Sequence, residues 1–275
     1  MYDGPTAATV SLSDNRVSGN TLTVASTSTT FANKNVGTGK LVTVSGISIT
    51  GVDAGNYTVN TSATTTADIT TKSITVTAVT DSKTYNGTTN SAGTPTIAPG
   101  LASGDTASFT QAFDSGNVGA RTLTPSGSVS DGNGGNNYAV TFANMSGSIT
   151  ARPLTVTADA RNKTDGDADP SLTYQVTSGS LVSGDSLSGN LTRVTGESVG
   201  GYAIQQGTLT AGSNYMLTYV RANLTISARA ITVTADAKSK TYGDADPALT
   251  YQITSGSLAF TDVFTGMPQP TGVGG

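Results

Sequence analysis

Gly184-Asp185-Ser186-Leu187 sets a serine directly behind an aspartate, an order that could present a hydroxyl nucleophile. Such a serine needs a base to take its proton, normally a histidine held by a carboxylate. The chain contains no His, and the matching place upstream reads Gly104-Asp105-Thr106-Ala107, as a repeated turn would. Asp165, Asp167 and Asp169 stand at alternate positions, and Asp244 and Asp246 recur further on. Carboxylates so spaced could offer oxygens to calcium, which takes roughly six to eight. No Glu closes the loop as in an EF-hand, and the joints where adhesion modules often hold ions carry Arg152 and Arg229 instead. A turn whose Asp side chains cap their own backbone uses the same residues. The sequence leaves both readings of this turn open.

Gly132-Asn133-Gly134-Gly135 is glycine-rich enough to cradle a phosphate, but no Lys-Ser/Thr follows it. Asn136-Asn137-Tyr138 leads into an extended stretch, so a hairpin loop is expected. Tyr138, Val140 and Phe142 share one strand face, as do Tyr215, Leu217 and Tyr219. Exposed aromatics can stack on sugars, yet period-two placement beside aliphatic residues predicts core packing. Trp, the strongest sugar-stacking residue, is absent. Asn-x-Ser/Thr triplets, such as those at Asn56 and Asn162, are common by chance in a Thr-rich chain and receive no role. The expectation is a chain without catalytic, cofactor-binding or metal-binding residues, and therefore not an enzyme.

The elements that carry these residues are written repeatedly. Ile74-Thr-Val-Thr-Ala78, Leu154-Thr-Val-Thr-Ala158 and Ile231-Thr-Val-Thr-Ala235 recur at a period of about 80 residues. Lys83-Thr84, Lys163-Thr164 and Lys240-Thr241 follow each start at one fixed distance. Ser103-Gly104-Asp105 and Ser183-Gly184-Asp185 mark the middle, and Asn137-Tyr138 and Asn214-Tyr215 mark the end. A fixed period with matched landmarks is one module copied, and modules packed end to end supply reach and surface more often than one pocket. The repeats are expected to divide as residues 1–71, 72–151, 152–228 and 229–275. Tyr2-Asp3-Gly4 matches Tyr85-Asn86-Gly87, so the first repeat lacks its opening strand. The last stops before any counterpart of Tyr215, which should leave sheet edges open to other chains. Met267 to Gly275 is expected to be poorly ordered.

Within the third repeat, Leu154 to Ala158 alternates apolar and hydroxyl residues, turning Leu154, Val156 and Ala158 inward. Strands follow over Leu172–Val176, Leu187–Arg193, Tyr202–Ile204, Tyr215–Tyr219 and Leu224–Ile226, with a turn at Asp165 to Pro170. No helical period appears. Short strands at this spacing point to an antiparallel sandwich or barrel, and the expected fold class is all-β: tandem small antiparallel β-sandwich domains in an elongated array. Ile149-Thr-Ala-Arg-Pro-Leu154 and Ile226-Ser-Ala-Arg-Ala-Ile231 join consecutive repeats with no glycine, unlike a flexible linker, so a semi-rigid rod is expected.

Hydrophobic residues make up 35% of the 275 residues and charged ones 12%, both low for a globular chain, while Thr, Ser, Gly, Ala and Asn fill the difference. That describes lean β modules with thin cores. A net charge of −4 argues against nucleic acid and anionic membrane surfaces. No apolar run approaches the roughly 20 residues of a membrane span, and no signal peptide is visible, which is read as truncation in mid-repeat. Cysteine is absent, which excludes a disulfide scaffold and permits export in an unfolded form.

Lys83-Thr-Tyr-Asn-Gly-Thr-Thr89 and Tyr2-Asp3-Gly4 resemble the YDG repeat. Lys240-Thr-Tyr-Gly-Asp-Ala-Asp-Pro247, Leu249-Thr-Tyr251 and Ser255-Gly-Ser-Leu258 resemble the MBG repeat, as do Val199 to Ile204, Gly207-Thr208 and Asn214-Tyr215. Asp165 departs from the pattern by standing where Tyr242 stands in the next copy. The resemblance covers essentially the whole chain and is to repeats of large, filamentous-haemagglutinin-like bacterial surface adhesins. It implies Ig-like or β-grasp-like domains, a secreted or cell-surface (bacterial outer envelope) location, and no catalytic residues. The function it implies is a stalk that projects a distal binding region. The alternative is that the repeats themselves bind host glycan, matrix protein or other copies of the chain through many weak contacts. The short match of Gly184 to Leu187 to the GDSL hydrolase block is accidental by comparison.

Overall fold

The computed structural model describes residues 1–266, and the expectation for Met267 to Gly275 lies outside the described residues. The chain forms two compact units, Met1–Thr150 and a second beginning at Ala151. In the first repeat the strands are β1 (Thr23–Ala25), β2 (Ser28–Phe31), β3 (Gly37–Ser45), β4 (Ser48–Thr50) and β5 (Ser62–Ile69), with one 3-10 turn at Ala54–Asn56. The second repeat supplies β6 (Lys72–Thr77), β7 (Asp81–Thr84), β8 (Thr96–Ala98), β9 (Thr106–Phe113), β10 (Gly119–Ser130), β11 (Tyr138–Ala143) and β12 (Met145–Thr150). The third repeats that series as β13 (Arg152–Ala158), β14 (Arg161–Thr164), β15 (Tyr174–Ser178), β16 (Thr192–Arg193), β17 (Gly200–Gln205), β18 (Tyr215–Val220) and β19 (Ala222–Ser227). A two-stranded ribbon of β20 (Thr232–Ala235) and β21 (Tyr251–Ser255) follows.

The second and third repeats share one topology. A three-stranded sheet, β11-β6-β8 or β15-β13-β18, faces a four-stranded one, β7-β12-β10-β9 or β14-β19-β17-β16. The opening ribbon changes sheets after Ala78 or Ala158, and so does the closing ribbon. Both ribbons run the same way, so β6 pairs parallel with β11 and β7 with β12. β13 with β18 and β14 with β19 match them. Each module is therefore mixed, with two parallel pairs inside an otherwise antiparallel sandwich. Parallel first and last ribbons carry the chain in at one end of a module and out at the other. Only Ala151 separates β12 from β13.

The alternation buries what it should: Leu154, Val156 and Ala158 are at most 4% exposed. Among the described residues there is no α-helix, which favours the Ig-like alternative over the β-grasp-like one. Two local expectations fail, and one strand was not expected at all. Leu187 to Arg193 is a strand only at Thr192–Arg193, with an isolated bridge at Ser188, because Gly189 takes a left-handed φ of +90° and breaks the ladder. Strand β14, Arg-Asn-Lys-Thr, carries no apolar alternation to announce it, since it lies at a sheet edge and is held by pairing with β19. The Gly132 to Gly135 loop is likewise no hairpin: it joins β10 in one sheet to β11 in the other.

Candidate functional site

Ser-Gly-Asp and Asn-Tyr, far apart in each repeat, meet in space. In the second repeat the Tyr138 hydroxyl donates to Asp105 Oδ2 at 2.7 Å and accepts the Ala102 N–H at 2.8 Å. In the third, Tyr215 donates to Asp185 at 2.7 Å and accepts the Val182 N–H at 2.7 Å. The first repeat keeps the arrangement with Asn20 in the Asp place: Tyr57 Oη accepts from Val17 N–H at 3.0 Å and from Asn20 Nδ2 at 2.6 Å. Repetition of both landmarks at matched places was the signal for this clamp.

Asp105 is the most heavily partnered of these carboxylates, and its side chain is 1% exposed. Tyr2 donates to it at 2.8 Å and Lys34 at 3.2 Å, both from the first repeat. Burial pushes this carboxyl up, but hydrogen bonds from Tyr138, Tyr2 and Lys34 outweigh that and hold it below its ordinary value. Burial and the bond to Asp105 push Tyr138 up to about 12. The rings of Tyr2 and Tyr138 meet edge to face at 5.5 Å within a cluster that includes Ile69, Ile74 and Val76, with Phe31 and Val36 packed on it. Asn137, fully buried beside it, accepts the Val36 N–H at 2.9 Å. The two repeats therefore form one unit around a shared cluster.

The acidic turn of the third repeat is occupied by cations. Lys163 Nζ reaches Asp169 at 2.7 Å, the Asp167 carbonyl at 3.1 Å, and Glu197. Arg193 pairs with both Asp169 and Glu197. Those bonds, from Arg193 and then Lys163, pull Asp169 down to about 2. Arg229 turns back to donate to the Asp165 carbonyl at 2.7 Å and to Asp167 at 2.6 Å. The Asp167 carboxylate is thus taken by Arg229 and that of Asp169 by Lys163 and Arg193, while Asp165 is held through its backbone carbonyl, and no cluster of three or more metal-ligating side chains occurs among the described residues. Lys240 makes the same contact with Asp246 in the last repeat.

The remaining sequence candidates are placed apart. Ser186 is exposed in its turn, while its neighbour Asp185 is committed to Tyr215. In the Gly132 to Gly135 loop, Asp131 collects the N–H groups of Asn133, Gly135 and Asn137 at 2.7 to 3.0 Å, so the loop closes on its own carboxylate. Of the aromatic faces, Tyr138 and Tyr215 are buried, but Phe142 is 44% exposed and leans edge-on against Phe109 at 6.0 Å.

The family model described as the YDG domain matches residues 1–67 and 70–147, and that described as the MBG domain (YGX type) matches residues 154–225 and 231–271. No curated protein and no solved structure matches the chain.

Proposed function

The chain belongs to the YDG domain family, its second half matching the MBG domain, and from that premise we propose that it is a non-catalytic spacer segment of a bacterial surface-exposed or secreted adhesin. One observation carries this reading. In each complete module the opening and closing ribbons run parallel, so the chain enters that module at one end and leaves it at the other. The polar groups that recur support it: the Asp–Tyr clamp and the Lys-held turn are consumed within each module, in tying its own loops to its own strands. Thr residues on the outward strand faces stay hydrated and keep the modules soluble despite thin cores.

The test is to coat beads with purified chain and measure retention on host cells, glycan arrays and matrix proteins. A spacer leaves beads unretained above uncoated controls. Saturable retention that soluble chain competes away would overturn the reading and make the modules themselves the binding region.

A further inference from the structure

In both complete modules the first strand and the last strand are interior strands. β6 lies between β11 and β8, and β12 lies between β7 and β10. In the third repeat β13 lies between β15 and β18, and β19 between β14 and β17. An edge strand is held by one ladder and can be peeled away, whereas these four are held on both sides.

Strand direction decides how a pull on the chain reaches them. Tension enters the second repeat at Lys72 and leaves it at Thr150. Because β6 and β7 run the same way as β11 and β12, the pull draws the opening ribbon backward and the closing ribbon forward, each along its own axis. The ribbons must slide past each other, Lys72 to Thr77 against Tyr138 to Ala143 and Asp81 to Thr84 against Gly147 to Thr150. Inter-strand hydrogen bonds lie across that direction and are loaded together, while a pull that parts two strands at one end breaks them singly. The third repeat keeps the register, with Arg152 to Thr157 against Tyr215 to Val220 and Arg161 to Thr164 against Leu224 to Ser227.

Further bonds close the ladders at their ends. The Lys72 N–H donates to the Asn137 carbonyl at 2.9 Å, that of Ala78 to Ala143 at 2.9 Å and that of Tyr85 to Thr150 at 2.8 Å. Arg152 to Asn214 at 3.0 Å and Asp165 to Ser227 at 2.9 Å are counterparts. Tyr138 and Tyr215 are the first residues of the sliding strands β11 and β18, so their hydroxyls bolt those strands to a loop of the same module. Ala151 alone links β12 to β13, which leaves no loop to take up slack between two loaded strands.

We propose that each complete module is a shear clamp, built to resist unfolding when the chain is pulled along its length, so that the array transmits tension. This rests on the spacer reading, which gives the chain a load to carry.

Force spectroscopy on the full chain tests it, and the absence of Cys lets two attachment points be chosen freely. Ser73→Cys with Thr150→Cys loads the second repeat in its native direction. Thr106→Cys with Ser130→Cys grips a residue pair at the open end of the β9–β10 hairpin and parts those strands. All four positions are exposed. At one loading rate the first pair should give way at a force at least about twofold higher than the second, because forced unfolding is set by the barrier crossed and not by stability. The chain released, about 3.4 Å for each residue between the attachment points, identifies what unfolded. Equal forces in the two directions, a lower force along the chain, or a difference that merely follows the urea midpoints of the two variants would each overturn the proposal. A mechanically weak module would leave the spacer reading standing, since that reading falls only if coated beads are retained.

Discussion

The Tyr138 hydroxyl sits 2.7 Å from Asp105 Oδ2 and at the same time accepts the Ala102 N–H, so one phenol ties the end of its module to the middle. Because Tyr2 and Lys34 reach the same carboxylate, the clamp that closes the second repeat also fastens the first to it. A module with few apolar residues gains order from a buried polar knot whose members are all satisfied.

Removing that one oxygen tests the knot. Tyr138→Phe leaves the buried Ala102 N–H and part of Asp105 without a partner, which costs about 1–3 kcal/mol. Tyr57→Phe should cost less, since the bonds it removes are exposed or part-buried and involve a neutral Asn20 in place of a carboxylate. Urea unfolding of the two variants measures the contrast. Equal losses would show that the carboxylate contributes nothing beyond packing.

The same knot sets the pH range of stability. Asp105 titrates lower when folded than its ordinary 3.8, so its contribution is complete above that value and is lost as pH falls through the folded one. Asp169, held at about 2, acts in the same direction. Tyr138 moves the opposite way, from 10.0 to about 12, so its contribution is complete below pH 10 and disappears as pH rises toward 12. Unfolding free energy should therefore hold level through neutral pH and fall on both sides. In Tyr138→Phe the alkaline fall should become shallower, followed by tyrosinate absorbance and denaturant titration together.

Much of this was legible beforehand because the array repeats its signals. Alternation in Leu154 to Ala158 fixed both a strand and its buried face, and the Asp and Tyr landmarks were visible as fixed points. Their meeting was not, because nothing in spacing along a strand says which loop folds over which sheet. Parallel pairing of β6 with β11 was equally hidden: alternation reports which face is buried and is silent on strand direction. Strand β14 was missed for a related reason, being polar and held by its neighbour's backbone. The acidic turn read ambiguously until Lys163, Arg193 and Arg229 were seen to converge on it from three places in the chain.

Those cations make a prediction about calcium. Glu197 is 47% exposed, so Glu197→Gln should cost little, as exposed ion pairs do. Lys163 is 4% exposed, and Lys163→Ala should cost more than Glu197→Gln, because it strips the Asp167 carbonyl and both carboxylates of a shared donor. Isothermal titration of the native chain with calcium should give no saturable heat. A saturable heat that vanishes in Asp167→Ala would mean that calcium displaces Arg229 from its carboxylate.

Gly166 marks where the third repeat meets the segment after it. Its φ of +83° favours glycine, and a Cβ there would stand 2.7 Å from Ala259 Cβ and 3.1 Å from the Arg229 guanidinium. Gly184, at φ +92°, has open space around it and serves as the control. Alanine at either position incurs backbone strain of about 1 kcal/mol. Gly166→Ala must in addition push Ala259 away and disturb the Arg229 bonds to Asp165 and Asp167. Hydrogen exchange read by mass spectrometry should then show faster exchange in Thr232–Ala235 and around Ala259 for Gly166→Ala, and no change there for Gly184→Ala. If the two variants exchange alike, the contact between Gly166 and Ala259 contributes nothing to holding the last ribbon in place.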